Sequence, residues 1–381
     1  VYDIATKKST QITNDGKKNA IINGITDWVY EEEFAFVRAF DWSADSKKLA
    51  FIRFDESEVP EFSMSIFRKD LYPTVETFKY PKAGEKNSTV SLHIYDVATA
   101  SKKDVNLSNY SDFYIARMKW TKDANVLSAQ VLNRHQDNLD LLFIDGNAAT
   151  AKVVLNEKDK AYVDVTDNLT FLKDNSFIWT SEKDGFNHIY LYDKTGKLKN
   201  QVTKGNWEIT NYYGFDEKSN TVFYQSVENG SINRDVYRIG IDGKNKTRLT
   251  SQTGTNTATF SPNYQYFINA FSSATQPPVY SLNESKSGKS IQVIENNEAL
   301  ATKLKAYDIA TKEFFVLKTS KGHSLNAWMI KPKDFDASKK YPVFMYQYSG
   351  PGSQQVNNDW NSADDFWLAM LAQQGYIVAC V

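Results

Sequence analysis

The stretch Phe40-Asp-Trp-Ser-Ala-Asp-Ser-Lys-Lys48, which runs into Leu49-Ala-Phe-Ile-Arg-Phe54, decides the fold. Aromatic residues lead into a short polar turn, and a strand of aromatic and branched residues follows. The same order of segments returns in four further copies, and the later copies are about 45 residues apart. A repeat of this length that holds four short strands predicts the blades of a β-propeller.

A second repeated segment supports the same interpretation. It consists of a hydrophobic strand, an Asp-centred turn and another strand, as in Val1-Tyr-Asp-Ile-Ala-Thr6, Ile94-Tyr-Asp-Val-Ala-Thr99 and Ala306-Tyr-Asp-Ile-Ala-Thr311. A β-sandwich could contain similar strands, but it would not repeat its internal hairpins in this way. We therefore predict a mainly β protein built as an incomplete propeller.

Composition narrows the class of protein. With 381 residues, 41% of them apolar, the chain is long enough for one large domain or two ordinary ones. The net charge of −1 means that the chain has no excess of positive charge that would indicate binding to nucleic acid or to an anionic membrane. No apolar run reaches the length of a membrane span. The single cysteine, Cys380, excludes an intrachain disulfide framework.

The pattern changes after about Thr311. Residues 1–310 read as the partial propeller, with an insertion around residues 55–89 whose prolines suit a central strand poorly. Residues 311–381 read as a hairpin, then a strand, a short helix and another strand, which is the beginning of a parallel α/β domain. In this sequence we expect Tyr341–Tyr348 to be a strand buried on both faces. Both chain ends fall within predicted strands, so we interpret the chain as a fragment of a longer protein.

The segment Asp27-Trp-Val-Tyr-Glu-Glu-Glu-Phe34 carries the most distinctive chemistry. Two like charges about 4 Å apart repel by up to about 4 kcal/mol at an effective dielectric constant near 20. On a strand Glu32 and Glu33 would point to opposite faces, whereas on a helical turn they diverge by only about 100° and could close on one ammonium group. The alternative is a solvated acidic loop tip.

The four histidines, at positions 93, 135, 188 and 323, are dispersed and lie far from the cysteine. This spacing does not match a metal site, and no motif calls for a cofactor. We therefore predict neither a metal nor a cofactor.

Several motifs together resemble the dipeptidyl peptidase IV branch of the prolyl oligopeptidase family of serine peptidases. They are Asp27–Phe34, Glu58-Val-Pro60 with Tyr80-Pro-Lys-Ala-Gly84, Asn133-Arg-x-Gln136, Thr203-Lys-Gly-x-Trp-Glu208, Lys339-Lys-Tyr-Pro-Val343 and Tyr348-x-Gly-Pro-x-Ser-Gln354. The resemblance runs through the whole chain. Gly352 departs from it, because some relatives carry Cys at that position.

The resemblance implies an eight-bladed propeller that caps an α/β-hydrolase domain, with the active site between them. This chain would hold the later blades and the first hydrolase strands. It would lack the catalytic Ser, Asp and His, since the sequence contains no Gly-x-Ser-x-Gly elbow. Glu32 and Glu33 would bind the free ammonium of a peptide, with Glu31 structural, and Tyr348 would donate to the oxyanion.

The implied activity is release of Xaa-Pro or Xaa-Ala dipeptides from peptides with a free N-terminus, and the chain alone would be inactive. Two alternatives stay open: a non-catalytic propeller scaffold for protein binding, and a related tripeptidyl peptidase. The resemblance also implies a possible homodimer through the 55–89 insertion. It further suggests the bacterial periplasm or the cell surface.

Overall fold

The computed structural model describes residues 1–307, 309–348, 350 and 352–381, apart from the side chains of residues 362 and 363. The chain divides into two compact units. The first comprises Val1–Trp179 and Tyr192–Lys199, and the second comprises Thr180–Leu191 and Asn200–Val381.

The first unit opens with a small hairpin and a sheet that an insertion interrupts. Its elements are β1 (Tyr2–Asp3), β2 (Lys8–Ser9), β3 (Ile21–Asn23), α1 (Trp28–Glu32), β4 (Phe40–Trp42), β5 (Lys48–Asp55), β6 (Glu61–Ile66), β7 (Thr74–Lys79), β8 (Thr89–Asp96) and β9 (Ser101–Asp104). Strands β3 and β4 both pair with β5, which pairs with β8, and β8 pairs with β9. Because β6 and β7 pair only with each other, they form a separate arm between the paired strands β5 and β8.

A regular four-stranded antiparallel sheet follows. It consists of β10 (Phe113–Trp120), β11 (Val126–Asn133), β12 (Asn138–Asp145) and β13 (Ala151–Lys158), each paired with the next. The repeated aromatic residue connects successive sheets. The indole Nε1 of Trp120 donates to the carbonyl oxygen of Asp41 at 3.0 Å, and the Trp120 N–H donates to the Asp41 carboxylate at 3.2 Å. The repeated aromatic residue therefore contributes to contacts between neighbouring sheets as well as to the local turn.

Strands β14 to β25 follow. The first four precede two further four-stranded antiparallel sheets, which lie in the second unit and are formed by the last eight. The strands are β14 (Thr170–Phe171), β15 (Phe177–Ser181), β16 (His188–Tyr192), β17 (Leu198–Gln201), β18 (Ile209–Asp216), β19 (Thr221–Ser226), β20 (Asp235–Gly240), β21 (Thr247–Arg248), β22 (Thr255–Phe260), β23 (Tyr266–Ser273), β24 (Gln276–Glu284) and β25 (Ser290–Glu295). The sheet orders β18-β19-β20-β21 and β22-β23-β24-β25 follow the chain. This sequential order is that of propeller blades.

The strands of the remaining chain form a mixed sheet. This part of the chain contains α2 (Glu298–Leu304), a 3₁₀ turn (Lys305–Tyr307), β26 (Glu313–Lys318), β27 (Ser324–Ile330), β28 (Val343–Met345), α3 (Ser362–Gln373) and β29 (Ile377–Cys380). The strand order is β26-β27-β29-β28, and β28 runs parallel to β29. Trp328, Leu368 and Cys380 lie in its core. The expected strand–helix–strand arrangement is thus present.

One expectation in this region was wrong. We predicted a strand over Tyr341–Tyr348 that is buried on both faces, but β28 has three residues, and both Val343 and Met345 are exposed. The physical reason is that the described residues cover only one face of β28: Phe344 packs against the core and Trp367, whereas Val343 and Met345 point to the opposite face. Among the helices of the described residues, none is both long and apolar enough to span a membrane.

Candidate functional site

The acidic motif begins at a capped helical turn. Asp27 is the N-cap of α1, and its Oδ1 accepts a hydrogen bond from the backbone N–H of Tyr30 at 3.0 Å. Its Oδ2 accepts from the hydroxyl of Ser88 at 2.5 Å. Burial raises the pKa of Asp27 above its ordinary value of 3.8, although both hydrogen bonds act in the opposite direction. The cap therefore places a buried carboxyl group beneath the acidic turn.

Tyr30 attaches this turn to the neighbouring sheet. Its side chain is 1% exposed, and its hydroxyl oxygen accepts the backbone N–H of Ile115 at 3.0 Å. Ile115 lies at an irregularity in β10, where the pairing register with β11 shifts. The Tyr30 ring also packs edge-on against Phe54, with the ring centroids 4.8 Å apart. Tyr30 therefore fixes α1 to both β5 and β10.

The three glutamates project from this fixed turn. Glu31 and Glu32 are in α1 and Glu33 is its C-cap, and all three side chains are exposed. Of the two geometries considered for Glu32 and Glu33, the structure has the helical one. Within the residues that the structure describes, none of the three carboxylates has a hydrogen bond or an ion pair. They form an accessible cluster of negative charge on a rigid base.

Two of the three glutamates lie at the unfavourable end of the helix. The C-terminal end of a helix carries partial negative charge, which repels Glu32, the last residue of α1, and Glu33, its C-cap, whereas Glu31 lies in the first turn. The last turn of α1 contains no basic residue that would offset it. An unfavourable local arrangement of charges that no neighbouring residue offsets is often found at a functional site.

An aromatic and polar segment lies beside the turn. Trp28 contacts Tyr80 with ring centroids 4.1 Å apart. The following segment is held in place by Arg134, whose Nη2 donates to the carbonyl oxygen of Glu85 at 2.8 Å, and by Asn87, whose amide donates to the hydroxyl of Tyr114 at 2.7 Å. Tyr80 of the Tyr80–Gly84 motif thus contacts α1, and Arg134 of the Asn133–Gln136 motif holds the segment that follows Gly84.

Tyr348, the predicted oxyanion donor, lies in the second unit. It follows β28 and is 64% exposed. Two residues of its motif, Ser349 and Pro351, lie outside the described residues. Glu32 and Glu33 belong to the first unit, so the residues of the predicted site are divided between the two units.

The Thr203–Glu208 motif has a structural explanation. His188 is fully buried, and its Nε2 lies 3.0 Å from the carbonyl oxygen of Gly205, while its Nδ1 lies 3.1 Å from the hydroxyl of Thr203. Since Nε2 must donate to the carbonyl, Nδ1 accepts from Thr203. Gly205 has φ +143°, and a Cβ there would lie 2.2 Å from Trp207 Nε1, so this position requires glycine. No group of three or more potential metal ligands occurs in the part of the chain that the structure describes.

Sequence reasoning assigned no role to three residues that support the site. Asp27 could have been recognised, since Asp before a helical turn is a common N-cap. Tyr30 had no such signal, because its partner Ile115 is 85 residues away in the chain. Arg234, which contacts the end of the Tyr348 loop, lies in a segment that no motif marked.

Comparisons with known proteins agree with this architecture. A sequence model of the family described as "Dipeptidyl peptidase IV (DPP IV) N-terminal region" matches residues 1–278. The chain is 31% identical over 376 residues to the dipeptidyl peptidase 4 of Trichophyton rubrum, which covers 94% of this chain and 48% of that protein. It is also 31% identical over 375 residues to the dipeptidyl peptidase 4 of Trichophyton equinum, covering 93% of this chain and 48% of that protein.

A solved structure gives the same result. The crystal structure of Porphyromonas gingivalis dipeptidyl peptidase 4 matches with a TM-score of 0.93 and 47% identity, over 99% of this chain and 53% of that one. The chain thus spans about half the length of the relatives that it matches. The predicted fold class, a mainly β incomplete propeller followed by the first strands of an α/β domain, is confirmed.

Proposed function

Because this chain belongs to the dipeptidyl peptidase IV family, whose N-terminal region it contains, we propose that it serves in a serine exopeptidase that releases Xaa-Pro or Xaa-Ala dipeptides. Its part in the reaction is to hold the substrate and to supply one oxyanion donor. The chain by itself does not hydrolyse peptides, since its sequence contains no Gly-x-Ser-x-Gly elbow for a nucleophile.

The observation that carries this proposal is the pair Glu32 and Glu33, exposed on a turn that Asp27 and Tyr30 fix from below. A peptide ammonium presents three donors, and two carboxylates accept charge-assisted hydrogen bonds from it. Since no cation among the described residues pairs with either glutamate, both are available to a ligand.

Holding the amino end of the substrate determines where the chain is cut. When the ammonium is bound at a fixed distance from the nucleophile, only the second peptide bond reaches the reacting position. Tyr348 contributes at that position, because a phenol hydroxyl aimed at the developing oxyanion stabilises the transition state more than the substrate.

Neutralising each glutamate in the full-length protein tests the proposal. Glu32→Gln and Glu33→Gln remove a charge at constant shape, and we expect each to lower kcat/KM on Gly-Pro-p-nitroanilide by about 30- to 5,000-fold, equivalent to about 2–5 kcal/mol. Glu31→Gln is the matched control, with an expected change below about threefold. Unchanged kcat/KM in both Glu32→Gln and Glu33→Gln would refute the assignment.

The same assay separates the alternatives. A tripeptidyl peptidase would prefer an Ala-Ala-Pro amide to the Gly-Pro amide. A non-catalytic scaffold would cleave neither substrate even as a full-length protein.

The arm formed by β6 and β7 suits contact with a second copy of the protein. Its tip carries Phe67, Leu71 and Tyr72, which are 76%, 88% and 79% exposed. Apolar side chains this exposed on a projecting hairpin are typical of interaction surfaces. The proposal therefore includes a homodimer formed through this arm, and a periplasmic or cell-surface location where peptides with free amino ends occur.

A further inference from the structure

The loop that carries Tyr348 is fixed at its start. Just after β28, the backbone N–H of Tyr346 donates to the carbonyl oxygen of Ala379 at 2.9 Å. The hydroxyl of Tyr346 lies 3.3 Å from Oε1 of Gln355, which follows the loop. The indole of Trp328 also donates to the carbonyl oxygen of Gln355 at 3.1 Å. These contacts belong to the mixed sheet itself.

The other end of the loop is fixed to a different part of the second unit. The side chain of Gln354 accepts from Nη2 of Arg234 at 3.0 Å and donates to the carbonyl oxygen of Ser231 at 2.9 Å. Its amide also lies 2.8 Å from the carbonyl oxygen of Val356. Gln354 thus joins the Tyr348 loop to the segment that precedes β20.

Arg234 is itself held rigidly. Its Nη1 donates to the carbonyl oxygens of Ser231 at 2.8 Å and Asn233 at 3.0 Å. Its backbone N–H donates to Gly254, and its carbonyl oxygen accepts from both the backbone and the side chain of the fully buried Asn256. Burial lowers the pKa of Arg234, while the charges of Glu208 and Asp359 oppose that shift. The guanidinium is therefore a fixed point between two blades.

We propose that Arg234 and Gln354 are positioning residues that set the place of the Tyr348 hydroxyl in the reaction. The inference rests on the proposed function and adds the means by which the propeller affects the oxyanion donor. The loop needs such support because it contains Gly350 and Gly352, and Gly352 has φ +71°. An error of about 1 Å in a catalytic group can lower the rate by about 100-fold.

Other contacts with the segment that precedes β20 make it possible to test Gln354 by itself. Asn358 donates its side-chain amide to Oδ1 of Asn233 at 3.0 Å, and its backbone N–H donates to Ile232 at 2.8 Å. This segment therefore stays docked when Gln354 is changed. Asn326, on β27, donates to the hydroxyl of Ser231 at 2.7 Å and serves as the control contact.

In the full-length enzyme we expect Gln354→Met and Arg234→Met each to lower kcat by about 10- to 100-fold with KM within about twofold, because an oxyanion donor acts in the transition state. Asn326→Ala should stay within about twofold of the wild type. In a Tyr348→Phe background, Gln354→Met should lower kcat by less than about twofold further, since residues that act through one group are not additive.

The inference would be overturned if Gln354→Met lowered kcat in the Tyr348→Phe background by as much as it does in the wild type. It would also be overturned if Gln354→Met or Arg234→Met alone left kcat unchanged. If Tyr348→Phe alone leaves kcat unchanged, the oxyanion assignment fails and the inference fails with it. Hydrogen exchange of the segment 346–355 tests the positioning without any activity. We expect faster exchange in Gln354→Met but not in Asn326→Ala, and equal rates in both variants would contradict the inference.

Discussion

Replacing Tyr30 with Phe removes one hydroxyl and leaves the ring contacts in place. The hydroxyl accepts the backbone N–H of Ile115, which is fully buried and lies where the β10 register shifts. Without that acceptor the N–H has no partner, and a buried unsatisfied donor costs about 1–3 kcal/mol. We expect Tyr30→Phe to lower the free energy of unfolding by that amount, as measured by guanidinium unfolding followed by tryptophan fluorescence.

Tyr224 provides a matched control. It is also fully buried, but its hydroxyl has no hydrogen-bond partner among the described residues. Tyr224→Phe removes the same atom, so we expect it to be neutral or stabilising. Equal destabilisation by Tyr30→Phe and Tyr224→Phe would refute the reasoning, because the hydrogen bond to Ile115 would then contribute nothing measurable.

Two further predictions concern Asp27 and the projecting arm. Because burial raises the pKa of Asp27, its contribution to stability falls as the pH rises above the ordinary value of 3.8. The unfolding free energy of Asp27→Asn relative to wild type should therefore improve as the pH is raised from that value, and a pH-independent difference would contradict this. Replacing Phe67, Leu71 and Tyr72 together with Ser should convert a dimer of the full-length protein into monomers in light scattering with unchanged thermal stability, whereas a dimer of unchanged affinity would exclude the arm from the interface.

The blades could be predicted from the sequence because their signals are local. The aromatic residues, polar turns and alternating strands recur along the chain, and each regular four-stranded antiparallel sheet pairs strands that are adjacent in sequence. The prolines near residues 60, 73 and 81 also marked a segment outside the regular pairing, and the structure has the β6–β7 arm there. The strand β28 was misjudged because an apolar run does not show whether a neighbour covers each face.

The acidic turn shows where sequence reasoning ends. A five-residue helix such as α1 is too short to be stable by itself, so its form depends on tertiary contacts. Those contacts come from Tyr30 and Ile115, which are far apart in the chain. The glutamates could be singled out by their charge, but the exposed helical geometry of Glu32 and Glu33 required the fold.

The most direct test of the central claim compares a substrate with a free amino end and the same substrate with a blocked one. The measurement is the ratio of kcat/KM for Gly-Pro-p-nitroanilide to that for its N-acetyl derivative, in the full-length wild type and in Glu31→Gln, Glu32→Gln and Glu33→Gln. We predict a strong preference for the free amine that falls by at least about tenfold in Glu32→Gln and Glu33→Gln and persists in Glu31→Gln. The same preference in all four proteins would show that these carboxylates do not bind the ammonium.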